Sequence, residues 1–302
     1  MNYKHLLYFW TVARLGGVVQ AGEHLHVTPQ TVSGQIQLLE DSLGQPLFRK
    51  KGRKLALTEA GELAFSYAQD IFNLGAQLEQ ALSQPGGTAR PVELRVGIAD
   101  AVPKLVAARL LEPAFQGPQR FKVVCREWKL DSLLAELAVH RLDLVLSDTP
   151  LPPSLSVSAY NHRLGGAHVG FYAAGPLAAR LAGLPFPHCL DGVPLLAPGT
   201  ESAMGVRLGQ WLGRHRLKPV LAGEFDDSAM VMTLGQHGHG VFTAPMVLDE
   251  QVRQQYGATL LGEATDLIEA FYVITVERRL THPGVVAITE AARQGLFAAW
   301  NR

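Results

Sequence analysis

Apolar positions in the first part of the chain recur every three or four residues, the period that gathers them on one face of a helix. Leu6, Phe9, Trp10 and Ala13 predict a short amphipathic helix. The stretch superficially resembles a secretory leader, but it is too short, is interrupted by Thr11 and Arg14, and leads to no small-residue cleavage pattern. A second short helix is expected over 18–25, with Ala21 and Leu25 inward, followed by a brief connection at His26 and Val27. Thr28 is a good N-cap and Pro29 suits the first helical position, where its missing N–H would be unpaired anyway. The helix they open should run to about Leu43, with Val32, Ile36, Leu39 and Leu43 inward and Gly44 as its stop. Pro46, Leu47 and Phe48 then read as a strand, and Leu55, Ala56 and Leu57 as its return.

From Thr58, the expected cap of a long helix, Ala60, Ala64, Tyr67, Ile71, Leu74, Leu78 and Ala81 recur at heptad spacing. Such a seam can pair two helices as a short coiled coil; the alternative is packing against its own chain. Residues 83–91 form a linker by composition. Beyond it short apolar runs alternate with helical patterns, which predicts parallel α/β structure. Strands are expected at 94–99, 122–128 and 142–147, with helices at 104–111 and 132–139. A second series places strands at 169–173, 195–197, 220–225 and 241–244 and helices near 206–214 and 228–236. A final strand, 271–276, and helix, 285–297, should return to the first lobe.

Composition narrows the classes. With 302 residues, 47% hydrophobic and 18% charged, the chain has ample material for two or three folded domains, and no apolar run reaches the ~18–20 residues of a membrane helix. A soluble protein without membrane association is expected. Cys125 and Cys189 offer neither a metal-binding spacing nor a disulfide framework, which suits a reducing cytoplasm. Formal net charge is zero, yet Arg49, Lys50, Lys51, Arg53 and Lys54 crowd around Gly52 without an acid. Alone, such a run is a solvated loop. Set on a hairpin just after two helices in tight succession, it becomes the tip of a wing whose cations neutralise phosphates. The second of those helices presents Thr28, Gln30, Thr31, Ser33, Gly34, Gln35 and Gln37 away from its apolar face. Gln pairs bidentately with adenine in the major groove, Ser and Thr contact bases or phosphates, and Gly34 allows close approach. The geometry is that of a winged helix-turn-helix.

The stretch from Thr28 to Glu40, then Leu43-Gly44, Leu47-Phe48-Arg49, Gly52-Arg53 and Thr58-Glu-Ala-Gly61, resembles the N-terminal signature of the LysR-type bacterial transcriptional regulators. Gly17, Gly22 and Gln37 depart from that pattern, which usually has Ser, Ala and Arg there. The resemblance implies a DNA-binding domain over 1–58, a linker and dimerisation helix with hinge over 59–91, and an effector domain over 92–302. That last part is expected to be a two-lobed α/β domain similar to type 2 periplasmic binding proteins, with lobe I at 92–162 and 267–302 and lobe II at 163–266. The implied partners are double-stranded promoter DNA, RNA polymerase, a small effector and further copies of the chain, as a homodimer or homotetramer. No cofactor is expected.

Effectors in open α/β sheets collect where strands end and helices begin. That rule selects Asp100, Trp128, Ser147, Asp148, Thr149, Thr200, Ser202 and Asp226. Glu224, Asp226 and Asp227 form an acidic group; Asp226 or Asp227 is most simply a helix N-cap, and the sharper reading is oxygen ligation of a hard cation. Gly235 to Gly240 reads as a helix C-cap and turn rather than a dinucleotide loop, because helix precedes strand. His237 and His239 lack a nearby third ligand, and no GxSxG, HExxH or P-loop spacing is present, which disfavours an enzyme. The segments 2–10, 97–104, 195–199, 223–229 and 282–285 look like one member of the family, an activator of a sodium/proton antiporter gene. That likeness implies an activator responding to sodium or pH, with a small organic effector as the alternative.

Overall fold

The computed structural model describes residues 2–51, 54–82, 91–116, 121–152, 159–278 and 280–301. It divides into two compact units, 1–90 and 91–302. In the first unit, helices α1 (Tyr3–Leu15), α2 (Val18–Leu25) and α3 (Pro29–Leu43) precede strands β1 (Phe48–Lys51) and β2 (Lys54–Leu57) and helix α4 (Glu59–Leu82). Leu6, Phe9, Val12, Ala21, Val32, Ile36, Leu39, Leu47 and Ala68 make its core. Thr28 caps α3 by accepting the Thr31 N–H, and Gly44 ends it in the left-handed conformation at φ 67°. Leu43, expected inward, is 41% exposed.

The wing is fastened to α3 by a carboxylate. Glu40 Oε1 accepts the N–H groups of Leu47 at 2.6 Å and Phe48 at 3.1 Å. Thr58 then closes the hairpin onto α4: its backbone N–H donates to Leu47 O, its hydroxyl donates to Pro46 O and accepts the Gly61 N–H. Gly61 lies so close that a Cβ there would sit 2.0 Å from Leu47 O, so α4 can start against the wing only without a side chain.

The second unit contains β3 (Val92–Ala99), α5 (Lys104–Leu111), α6 (Pro113–Gln116), β4 (Phe121–Trp128), α7 (Leu130–Ala138), β5 (Leu144–Ser147), β6 (Tyr160–Ala174), α8 (Gly175–Leu181), β7 (Pro194–Pro198), α9 (Ala203–Arg214), β8 (Val220–Phe225), α10 (Ser228–Gln236), β9 (Phe242–Pro245), α11 (Asp249–Tyr256), β10 (Ala258–Thr275) and α12 (Pro283–Ala291). A six-stranded sheet has the order β4-β3-β5-β10-β6-β9, and β7 and β8 form a separate parallel pair. The sheet is mixed rather than wholly parallel: β3 pairs β4 and β5 in parallel, whereas β10 runs antiparallel to both β5 and β6.

The long strands are the main departure from the sequence expectations. The strand expected at 169–173 extends over 160–174, and the one at 271–276 begins at 258; α8 and α11 were not anticipated. The expected final helix ends as α12 at Ala291 and continues as a π-helical turn to Leu296. The pairing of β6 with β10 carries irregularities, the largest where Ala264 faces Val169 but Ile268 already faces His168, leaving Thr265, Asp266 and Leu267 without counterparts. The linker over 83–90 lies outside the described residues.

Candidate DNA interface and effector cleft

On α3 the inward stripe leaves the opposite face open. Thr28, Gln30, Thr31, Ser33, Gly34 and Gln37 are exposed and Gln35 is half-buried. A Cβ at Gly34 would meet nothing within 4 Å, so the fold itself does not require glycine there. The Thr28 and Thr31 hydroxyls lie 2.9 Å apart, which orients both at the helix start. Gln37, standing where the family usually has Arg, donates from Nε2 to Asp41 Oδ1 at 3.0 Å and is thereby held along the helix. Arg49 and Lys50 are exposed on β1. Gly52, Arg53 and the side chains of Lys51 and Lys54 lie outside the described residues. The turn between α2 and α3 is closed by His26, in the left-handed conformation at φ 55°, whose N–H reaches back to Glu23 O and Gly22 O.

In the second unit a cleft of about 370 Å³ opens beside the carboxyl ends of β3, β4, β7, β8 and β9. Asp100, Ser202 and Asp226 line it, together with Lys129, Phe225 and Glu269. The other predicted contacts are dispersed. Ser147 and Asp148 are buried, and Ser147 Oγ accepts the Thr149 N–H at 3.1 Å. Thr200 turns its hydroxyl toward Glu224, and Trp128 is 45% exposed outside the lining. Ser202 caps α9 by accepting the Gly205 N–H, and Asp227 rather than Asp226 caps α10 through the Ala229 N–H. The His237 and His239 rings are 6.3 Å apart, and among the described residues no group of three His, Cys, Asp or Glu side chains is placed to hold a metal.

Sequence reasoning missed Glu269. It stands on β10 directly after the irregularity at 265–267, in the inward row of Leu267, Glu269, Phe271 and Val273. A carboxylate flanked two residues either side by buried apolar residues is the signal that could have found it. Burial, reinforced by the neighbouring Asp148 charge and partly offset by Arg207, pushes its carboxyl up to about 8. Asp148 is also raised by burial, with the Arg207 guanidinium acting against the shift. Arg207 Nη2 lies 3.9 Å from Asp148 Oδ2, too far for a hydrogen bond, and those two atoms and Arg207 Nε are buried without hydrogen-bond partners.

Residues 3–62 match the family model described as bacterial regulatory helix-turn-helix protein, lysR family. The transcriptional activator protein NhaR of Escherichia coli (strain K12) is 33% identical over 298 residues, 99% of this chain and 97% of that protein. Two solved structures share the fold: ArgP from Mycobacterium tuberculosis, at TM-score 0.62 and 19% identity over 98% of this chain and 97% of that one, and full-length CbnR complexed with its target DNA, at TM-score 0.53 and 17% identity over 98% and 100%. Among the described residues no helix is long and apolar enough to cross a membrane. A winged helix-turn-helix followed by a mixed α/β unit, together with similarity to NhaR along nearly the whole chain, places this protein in the LysR family of bacterial transcriptional regulators.

Proposed function

We propose that the chain is a cytoplasmic activator, acting at the bacterial nucleoid without catalysis, that controls a sodium/proton antiporter gene and responds to sodium or pH. The observation that carries this reading is the 33% identity to NhaR across 99% of the chain. Gln30, Thr31, Ser33 and Gln35 read base edges, with Thr28, Gly34 and Gln37 at the same face. Arg49, Lys50, Lys51, Arg53 and Lys54 hold phosphates, which gives affinity without sequence information. A dimer or tetramer sets the reading helices in successive major grooves. An effector in the cleft changes the geometry of the heads or their contact with RNA polymerase, which requires that it bind two states of the protein unequally. The domain limits at 58 and 91, and the lobes 92–162 with 267–302 and 163–266, belong to the same proposal.

A second reading, a small organic effector, is favoured by the volume of the cleft, which lies within the ~300–1,000 Å³ of small-molecule sites. The test is footprinting on the protein's own upstream DNA and on a neighbouring antiporter promoter, with sodium exchanged for potassium at constant ionic strength, because counterion release alone weakens binding as salt rises. A sodium-specific change is expected. Identical footprints in both salts, with tight specific binding, would retain the regulator and leave the organic effector. Gln30→Ala or Ser33→Ala should lose specific binding with the fold intact; unchanged footprints would refute the assignment of α3 as the reading helix.

A further inference from the structure

The cleft wall is strongly acidic. Asp100, Asp131, Glu201, Asp226 and Glu269 line it against one cation, Lys129. An acidic lining alone says little, but Glu269 is a separate observation: it is 4% exposed, borders the cleft from the middle of β10, and its carboxylate makes no hydrogen bond to any described residue. Its oxygens are not among the fully buried unpartnered atoms and so reach the cleft, where an occupant can meet them. Behind it, Asp148 and Arg207 retain unpartnered polar atoms of their own. Carboxyl groups outnumber the one cation among the described residues of this wall, and that sign of charge selects a positive occupant.

We infer that the cleft binds a small organic cation, an amine or guanidinium compound, with Glu269 as its buried counter-charge. The inference rests on the second reading above, an organic effector in this cleft, and names the chemical class of that effector. A bare metal ion suits the wall poorly. Hard cations need about six or more oxygens drawn tightly around one point, whereas these carboxylates are distributed around a space of about 370 Å³ and no three of the described acidic, His or Cys side chains converge. Several N–H donors on one extended molecule can meet separate carboxylates, while Leu130, Met204, Phe225 and Met232 cover its carbon skeleton. An anion is disfavoured even though α5, α7, α9 and α10 begin at this cleft. Ser202 and Asp227 already accept N–H groups at the starts of α9 and α10, and Asp131 puts a negative charge in the first turn of α7.

The charged groups facing Glu269 are Asp148 and Arg207, with Asp100 and Lys129 on the same cleft. An arriving cation favours the ionised carboxylate, so binding releases a proton at neutral pH and tightens as pH rises toward about 8. The experiment is calorimetric titration of the full-length protein with agmatine, putrescine and arginine, against citrulline, glutarate and sodium chloride at fixed ionic strength. Saturable binding of at least one cation is expected at millimolar concentration or below, with neither citrulline nor glutarate equalling it. Glu269→Gln should weaken that cation roughly tenfold or more, and Asp226→Asn, at an exposed position on the wall, by a smaller factor. Both variants should bind operator DNA as the wild type does without ligand, which controls for folding. Absence of any cation binding, preference for glutarate, a response to sodium alone, or undiminished affinity in Glu269→Gln would overturn the inference. Failure of the wild type to bind its upstream DNA would instead overturn the regulator reading, since the calorimetry does not depend on DNA.

Discussion

Glu269 couples a single side chain to the stability of its unit. Its carboxyl keeps its proton up to about pH 8 in the folded protein, whereas the unfolded chain releases the proton near the ordinary value of 4.5. The unfolded state therefore binds fewer protons across this window. The contribution to stability is complete below about 4.5 and is lost as pH rises toward about 8, at about 1.4 kcal/mol per pKa unit of difference. Thermal melts across this range should show the melting temperature of the wild type falling relative to that of Glu269→Gln, which stays neutral throughout. Parallel profiles would mean that Glu269 is ionised in the fold. Its role was hidden in the sequence because Gly262, Thr265 and Asp266 break the alternation that would have announced the strand around it. Asp100, Ser202 and Asp226 were legible because the ends of strands β3, β7 and β8 are marked by short apolar runs that stop at polar residues.

At the scale of elements, the helices of the first unit were readable almost to the residue, since their caps and apolar periods are local. Thr28, Pro29 and Gly44 bound α3 without help from distant parts of the chain. The attachment of the wing was not readable, because Glu40 looks like any polar helix residue until its carboxylate is seen accepting the N–H groups of Leu47 and Phe48. Gly61 belongs to the same joint. Gly61→Ala sets a methyl group against the Leu47 carbonyl, a backbone atom that cannot swing aside. A loss of about 1–3 kcal/mol is expected, read by denaturant unfolding, together with weaker DNA binding as the wing shifts. A wild-type unfolding midpoint would show that α4 moves away at no cost. The paired β6 and β10 escaped sequence reading for the opposite reason: their partners are nearly a hundred residues apart and their register is interrupted.

For the whole molecule, the expected heptad seam on α4 divides in two. Ala60, Ala64 and Ile71 pack on the core of their own unit, together with Ala68, while Tyr67, Leu74 and Leu78, and Leu63 beside them, are 59–67% exposed; the side chain of Ala81 lies outside the described residues. Packing against its own chain is thus seen for the inner side of the helix, and pairing with a second copy is left to the outer side as a proposal. The outer stripe is the surface on which a second copy would be expected to pair. Leu74→Asp combined with Leu78→Asp should convert the oligomer toward monomer in sedimentation velocity and lower operator affinity by roughly 10²–10⁴, the loss of bivalent attachment. An unchanged sedimentation coefficient would move the interface elsewhere.

The continuous strands β6 and β10 have one further consequence. Val169, Phe171, Ala264 and Leu267 belong to one apolar cluster of the second unit, while Leu164, Tyr172, Phe271 and Val273, on the same two strands, belong to the other. The latter cluster takes in Ile98, Leu110 and Val285 along with Met232, Phe242 and Val252, so the apolar packing does not stop at the boundary between the two expected lobes. Residues 91–302 are therefore expected to unfold in a single calorimetric transition, which a molecule binding at the strand ends should shift as a whole.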